Sequence, residues 1–171
     1  DLAEVRGALE DIVDEDNRAG EVIHRLRNLM KKGERRSEMV DVNGLVNSTV
    51  ALLNSELISR RINVQVDLQN GLPAMSGDPV QLQQVLLNLV MNAMDAMGST
   101  PIVQRLVEIS TDSTPTGTVE ILVKDHGPGI HPPENGRLFE PFYTTKDHGL
   151  GLGLTICSTI IQAHGGNMTL A

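Results

Sequence analysis

Asn88 and Asn92 stand one helical turn apart in a stretch where Gln81, Gln84, Asn88, Asn92 and Asp95 recur at steps of three or four. On a helix those residues share one face. Leu82, Leu86, Leu89, Ala93 and Met97 fill another. Asparagine is a mediocre helix former, so a pair of them beside an apolar stripe asks for a reason. One reading gives the amide oxygen of Asn92 to Mg2+, with Asn88 supporting it or an ion-bound water. Magnesium prefers oxygen ligands, keeps several waters and completes its shell with substrate phosphates. The other reading is a solvated polar face, and the helix alone does not choose between them.

Asp125-His126-Gly127-Pro128-Gly129-Ile130 follows an alternating apolar run. A carboxylate at the end of a strand can accept a hydrogen bond from an exocyclic amine such as that of adenine. The glycines let backbone approach a flat ligand, although a plain glycine turn fits the same residues. Further on, Leu138-Phe139-Glu140-Pro141-Phe142-Tyr143-Thr144-Thr145-Lys146 precedes Gly149-Leu150-Gly151-Leu152-Gly153-Leu154. Three glycines at alternating positions lead into a helix, whose N-terminus and exposed N–H groups make an anion site. Lys146 adds positive charge near terminal phosphates. The chain's only aromatics, two Phe and one Tyr, all fall in this segment. Residues 125 to about 150 are therefore expected to form a hinged lid over a nucleotide, anchored by Phe139 and Phe142 to the core or to a partner. A static loop with an aromatic plug explains the Phe residues but not the glycine ladder. Neither a Walker loop nor a dinucleotide fingerprint is present.

These groups need elements to hold them. Asp78-Pro79 with Gln81 reads as a capping box opening a helix that runs to about Met97 and Gly98. Asn43 is expected to cap an earlier helix to about Ser59, with Leu45, Val46, Leu52, Leu53 and Leu57 inward. Val40 and Val42 suggest a short strand. Ile62 to Leu68, Val107 to Thr111 and Val119 to Val123 alternate as strands. A last helix spans about Leu152 to Ala163 and stops at His164-Gly165-Gly166, after which Met168 and Leu170 suggest a strand. The expected fold is an α/β two-layer sandwich, a mixed sheet with helices on one face. Ahead of it, residues 1 to about 35 carry Leu2, Val5, Leu9, Ile12, Ala19, Ile23, Leu26 and Met30 in a heptad seam. Such a seam needs partner helices. The charged stretch after it reads as a linker, which divides the chain into residues 1–36, helix and linker, and residues 37–171.

A net charge of -8 argues against a nucleic-acid or anionic-membrane surface. One cysteine, Cys157, allows no internal disulfide, and no Cys/His cluster has zinc spacing. A reducing, cytoplasmic setting is the simple expectation. The sequence has no apolar run of membrane-spanning length, so membrane attachment is expected only through upstream regions.

Taken in order, these segments resemble the sensor histidine kinases of two-component systems, within the Bergerat-type ATPases and kinases. Asn88-Leu-Val-Met-Asn92-Ala is similar to their Asn box, Asp125-His-Gly127-Pro-Gly129-Ile130 to the first glycine box, Leu138 to Lys146 to the Phe box, and Gly149 to Leu154 to the second glycine box. The resemblance covers essentially the whole chain, with the N-terminal helix looking like the second helix of the dimerisation bundle. It implies the Bergerat ATP-binding fold and transfer of the ATP γ-phosphoryl group to a histidine, for relay to a response regulator receiver domain, in a homodimeric full-length protein. Asn88, Asn92 and Lys146 would be catalytic. Asp95, Asp125, Gly127, Gly129, Ile130, Phe142, Thr144, Thr145, Gly149, Leu150, Gly151, Leu152 and Gly153 would join them around ATP and Mg2+, with Asn92 as the metal ligand.

The chain departs from the family pattern in two places. The phosphoacceptor, a His followed by an acidic residue on the first bundle helix, has no match, since His24 is followed by Arg25. The family's usual final strand is expected to be missing. Three rivals remain: an ATP hydrolase of the gyrase or chaperone kind, a serine kinase on the same fold, and a non-catalytic nucleotide-binding dimerisation module. Hydrolases of that group place a Glu where this chain has Asn88, and an amide cannot act as a base.

Overall fold

The computed structural model describes residues 37–130, 137–144 and 151–170. The expected N-terminal heptad helix and most of its linker lie outside the described residues. The chain divides into residues 1–35 and residues 36–171, and every element below lies in the second unit.

The elements are β1 (Glu38–Val40), α1 (Val42–Ser59), β2 (Asn63–Leu68), β3 (Met75–Gly77), α2 (Pro79–Ala96), a 3₁₀ turn (Ile102–Gln104), β4 (Leu106–Ser113), β5 (Val119–Asp125) and α3 (Gly153–Ala163). The main sheet has the order β2-β4-β5, parallel between β2 and β4 and antiparallel between β4 and β5. β1 and β3 form a separate antiparallel pair. The expected mixed sheet is thus present, accompanied by a second small one.

Register decides which sheet face is covered. Val64 sits opposite Val107, and Val123 opposite Ile109. All four turn toward the helices and join Val46, Leu57, Leu86, Val90, Ala93, Met94 and Met97 in one core. Gln65, Asp67, Glu108 and Ser110 alternate onto the other face, since side chains switch sides along a strand. With only three aromatic residues in the chain, methionine fills the largest buried volumes, and Met94 and Met97 are sealed from solvent.

Four sequence expectations shift here. Asp41, not Asn43, caps α1: its Oδ1 accepts from the Gly44 N–H at 3.0 Å. Val42 consequently belongs to the helix rather than to β1. Asn43 instead ties the helix to the sheet, donating to the Gln69 carbonyl at 2.9 Å and accepting from Thr111 Oγ1 at 2.8 Å. Leu52 is 64% exposed. Thr49 takes a buried place on that helix because its hydroxyl donates to the Leu45 carbonyl one turn back, at 2.8 Å. Residues 167–170 form no strand, because a strand exists only through ladder hydrogen bonds to a neighbour and these residues make none among the described residues.

α2 begins at Asp78 as expected, with Asp78 Oδ1 accepting from the N–H groups of Val80 and Gln81, but Gln81 does not complete the capping box, because the Asp78 N–H donates to His164 Nε2 instead. Both other long helices end in Schellman turns. At α3, Gly166 N–H reaches the Ile161 carbonyl and Gly165 N–H the Gln162 carbonyl, with Gly165 left-handed at φ 76°. At α1, Ile62 N–H reaches the Leu57 carbonyl and Arg61 N–H the Ile58 carbonyl. Here the left-handed residue is Arg61, at φ 54°. A side chain there costs about 1–2 kcal/mol of backbone strain, while a glycine loses about 0.5–1 kcal/mol more chain entropy on folding. Arg61→Gly is expected to stabilise the unit by roughly 0.5–1 kcal/mol, read as a higher urea midpoint at unchanged slope. A lower midpoint contradicts this account of the turn.

Candidate functional site

α2 and α3 lie side by side and run in opposite directions. Near the start of α2 the Asp78 N–H meets His164 at the end of α3. In the middle, Asn88 Nδ2 donates to Cys157 Sγ at 3.7 Å, and Cys157 Sγ lies 3.9 Å from the Val85 carbonyl. Toward the end of α2, a Cβ on Gly153 would sit 3.8 Å from Asn92 Nδ2. Asn92 therefore stands beside the N-terminus of α3. Among the described residues no side chain caps that terminus. Its backbone donors and partial positive charge suit an anion.

Asp125 ends β5, half-buried. Its Oδ1 accepts from the Gly127 N–H at 2.8 Å. Its second carboxylate oxygen has no hydrogen bond among the described residues, so it is open to a donor. Gly127 is required by close approach: a Cβ there would lie 2.7 Å from Asp125 Oδ1 and 3.0 Å from the Ala96 carbonyl. The first glycine segment is thereby pressed against the C-terminal end of α2. Gly129 is left-handed at φ 77°, and Ile130 is 45% exposed.

The aromatic segment is stitched to the second glycine segment. Phe142 N–H donates to the Gly151 carbonyl at 3.0 Å, and Thr155 Oγ1 to the Phe139 carbonyl at 3.2 Å. Arg137 lies over the Tyr143 ring at 4.4 Å. Gly151, at φ 64°, packs so closely that a Cβ would overlap the backbone of Phe142 and Tyr143. Phe142 itself is left-handed at φ 66° and 74% exposed. It does not anchor this segment to the core, because its backbone turns the ring outward; Phe139 is half-buried and Thr144 is exposed. Leu152 is buried, and its carbonyl accepts from the Ile156 N–H. Thr145, Lys146, Gly149 and Leu150 lie outside the described residues.

The structure thus brings Asn92, Asp125, Gly127 and Gly153 around the C-terminal half of α2. Asp95 is drawn aside: Arg60 Nη1 holds its Oδ1 at 2.8 Å. That contact, ahead of the Glu56 pair at 2.6 Å, raises the Arg60 pKa. Arg105 was invisible to sequence reasoning, yet its guanidinium gathers the carbonyls of Gly98, Thr100 and Arg60 at 2.8–3.0 Å and shapes the chain leaving α2. Sequence offered one hint here, Glu56 four residues before Arg60. His126 pairs with Glu108 at 2.7 Å, and this bond, then Lys124, lowers the Glu108 pKa. A cleft of about 450 Å³ lined by Asn63, Gln104, Arg105 and His126 shares only Gly127 with the candidate residues, so it is not their pocket.

Metal fit follows from the donor set. Among the described residues no three His, Cys, Asp or Glu side chains converge on a metal position. Asn92 places a neutral amide beside the N-terminus of α3, with its Nδ2 nearest Gly153. This suits a hard divalent ion that arrives with phosphates.

Residues 77–171 match the family model described as histidine kinase-, DNA gyrase B-, and HSP90-like ATPase. The chain is 36% identical over 168 residues to the sensor histidine kinase TmoS of Ectopseudomonas mendocina, covering 98% of this chain and 17% of that protein. It spans 17–32% of the length of the first curated relatives it matches. Among solved structures it resembles full-length ShkA in complex with AMPPNP (TM-score 0.72, 29% identity, 87% of this chain and 31% of that one). It also resembles histidine kinase ThkA in complex with response regulator protein TrrA (TM-score 0.72, 26% identity, 91% and 43%).

Because a Cβ at position 151 has no room, Gly151→Ala is expected to part the aromatic turn from α3. The unit should lose at least about 1 kcal/mol, and the Phe142 amide should exchange hydrogen faster. Unchanged exchange at Phe142 would count against this joint.

Proposed function

This chain belongs to the family of histidine kinase-, DNA gyrase B-, and HSP90-like ATPases, and from that premise we propose that residues 37–171 are the ATP-binding catalytic part of a sensor histidine kinase. The reaction moves the γ-phosphoryl group of ATP to a ring nitrogen of a histidine on a dimerisation helix. The bond between the γ-phosphorus and its bridging oxygen breaks, a phosphorus–nitrogen bond forms, and ADP leaves. A response regulator receiver domain then takes the phosphoryl group. Relatives named as sensor histidine kinases, and ThkA seen with its response regulator, support this reading.

One observation carries the nucleotide site: Asn92 stands beside the N-terminus of α3, and Gly127, bonded to Asp125, is pressed against the C-terminal end of the same helix α2. Asp125 accepts from the adenine amine. The helix terminus and the glycine segment receive the phosphates, and Lys146 adds positive charge. Asn92 would hold a Mg2+ ion, which would supply charge neutralisation at the phosphates. Phosphoryl transfer of this kind depends on positioning and charge. Asn88 supplies no base, and its Nδ2 donates to Cys157 Sγ. Water is therefore poorly activated, which favours a kinase over a hydrolase.

Asn92→Ala and Asp125→Ala are each expected to weaken ATP–Mg2+ binding about tenfold or more, a loss of about 1.4 kcal/mol, with circular dichroism unchanged. Wild-type affinity in either variant removes that residue from the site. With labelled ATP, the chain alone should gain no acid-labile label, whereas adding a separate acceptor-histidine helix should transfer label to that helix. Free phosphate would instead indicate a hydrolase, and bound, unchanged ATP a binding module.

A further inference from the structure

The end of α3 opposite the proposed nucleotide site is joined to α2 by the His164 ring. His164 Nε2 lies 3.0 Å from the Asp78 backbone nitrogen, and Nδ1 lies 2.7 Å from the Ile160 carbonyl. A backbone N–H can only donate and a carbonyl can only accept, so the ring is fixed as the neutral tautomer with its proton on Nδ1. In a capping box the Asp78 N–H would be taken by the Gln81 side chain. Here a residue on the other helix takes it, and the N-cap of α2 is completed by the C-cap of α3. Gly77 makes room for the ring, since a Cβ there would sit 2.9 Å from His164 Cδ2.

We infer that His164 is a positioning residue for the nucleotide site, setting how far α3 is slid along α2. The argument rests on the site proposed above. Two antiparallel helices packed through apolar side chains resist separation but only weakly resist a small axial slip, because that packing is non-directional. A directional bond at one end fixes the axial offset. The cost of a slip falls at the other end, where Gly153 faces Asn92. The Asn88–Cys157 contact between them is a long sulfur hydrogen bond of 3.7 Å and holds the offset poorly. Displacing α3 by a fraction of its 1.5 Å rise per residue moves the phosphate-facing N–H groups away from the Asn92 amide.

Titration calorimetry with ATP–Mg2+ tests this on the whole chain. His164→Ala is expected to weaken binding about five- to tenfold, and His164→Gln, whose amide can accept from the Asp78 N–H, to recover most of it. Leu68→Ala, which removes apolar contact at the far end of β2, lowers stability without touching the joint and should leave affinity within about twofold. Should His164→Ala fail to fold, Gly77→Ala displaces the ring more gently and should weaken binding in the same sense. Nitrogen NMR of the wild type should show His164 with Nε2 unprotonated; a protonated Nε2 overturns the inference. So does wild-type affinity in the folded His164→Ala variant, or in Gly77→Ala if it is used, or an equal loss in Leu68→Ala. If the wild type itself takes up no ATP–Mg2+, the site proposal fails, and that outcome is distinct from the failure of the His164 joint.

Discussion

The antiparallel contact of α2 with α3 organises every part of the candidate site. α2 carries the amides, and α3 carries the helix terminus that they face. Neither helix could build the site alone. A polar helix face is commonplace, and so is a helix N-terminus, but an amide side chain and a row of backbone donors acquire meaning when brought together. The rest of the unit holds that pair in place. The sheet supports α2 through Met94, Met97, Val107 and Ile109, while Arg105 and Arg60 shape the chain around its C-terminal end.

Much of this was legible in the residues because helical and strand periodicities are local. The Asp78-Pro79 start, the shared face of Asn88 and Asn92, and the three main-sheet strands all follow from spacing within a few residues. What the sequence concealed is pairing across distance. β3 has three residues and no alternation, and it is a strand only because β1 lies beside it. Asp41 and Asn43 are both residue types that cap helices. Asn43 is instead engaged by Gln69 and Thr111, far along the chain. Asp95 shares the helical face of the asparagines, yet Arg60 claims its carboxylate. A periodicity argument places such a residue on a face and cannot say which neighbour takes it.

The choice between transfer and hydrolysis narrows to one position. A carboxylate at residue 88 would stand where a base can polarise water; the amide there cannot remove a proton. Its donation to the Cys157 sulfur gives it a packing duty between the helices. Under the proposed kinase function, a nucleotide in such a site would meet positioning groups and charge and would await an acceptor histidine. This fits a machine in which timing is set by the approach of an acceptor.

The small β1–β3 pair gives the unit a mechanical grip. Three residue pairs, Glu38 with Gly77, Met39 with Ser76 and Val40 with Met75, join the first described strand to the segment that ends at Asp78. The Ser37 and Ser76 hydroxyls are hydrogen-bonded beside this ribbon, so the chain entering β1 is joined directly to the segment that leads into α2. The root of the helix that bears Asn88 and Asn92 is thus tied to the backbone at the start of the described unit.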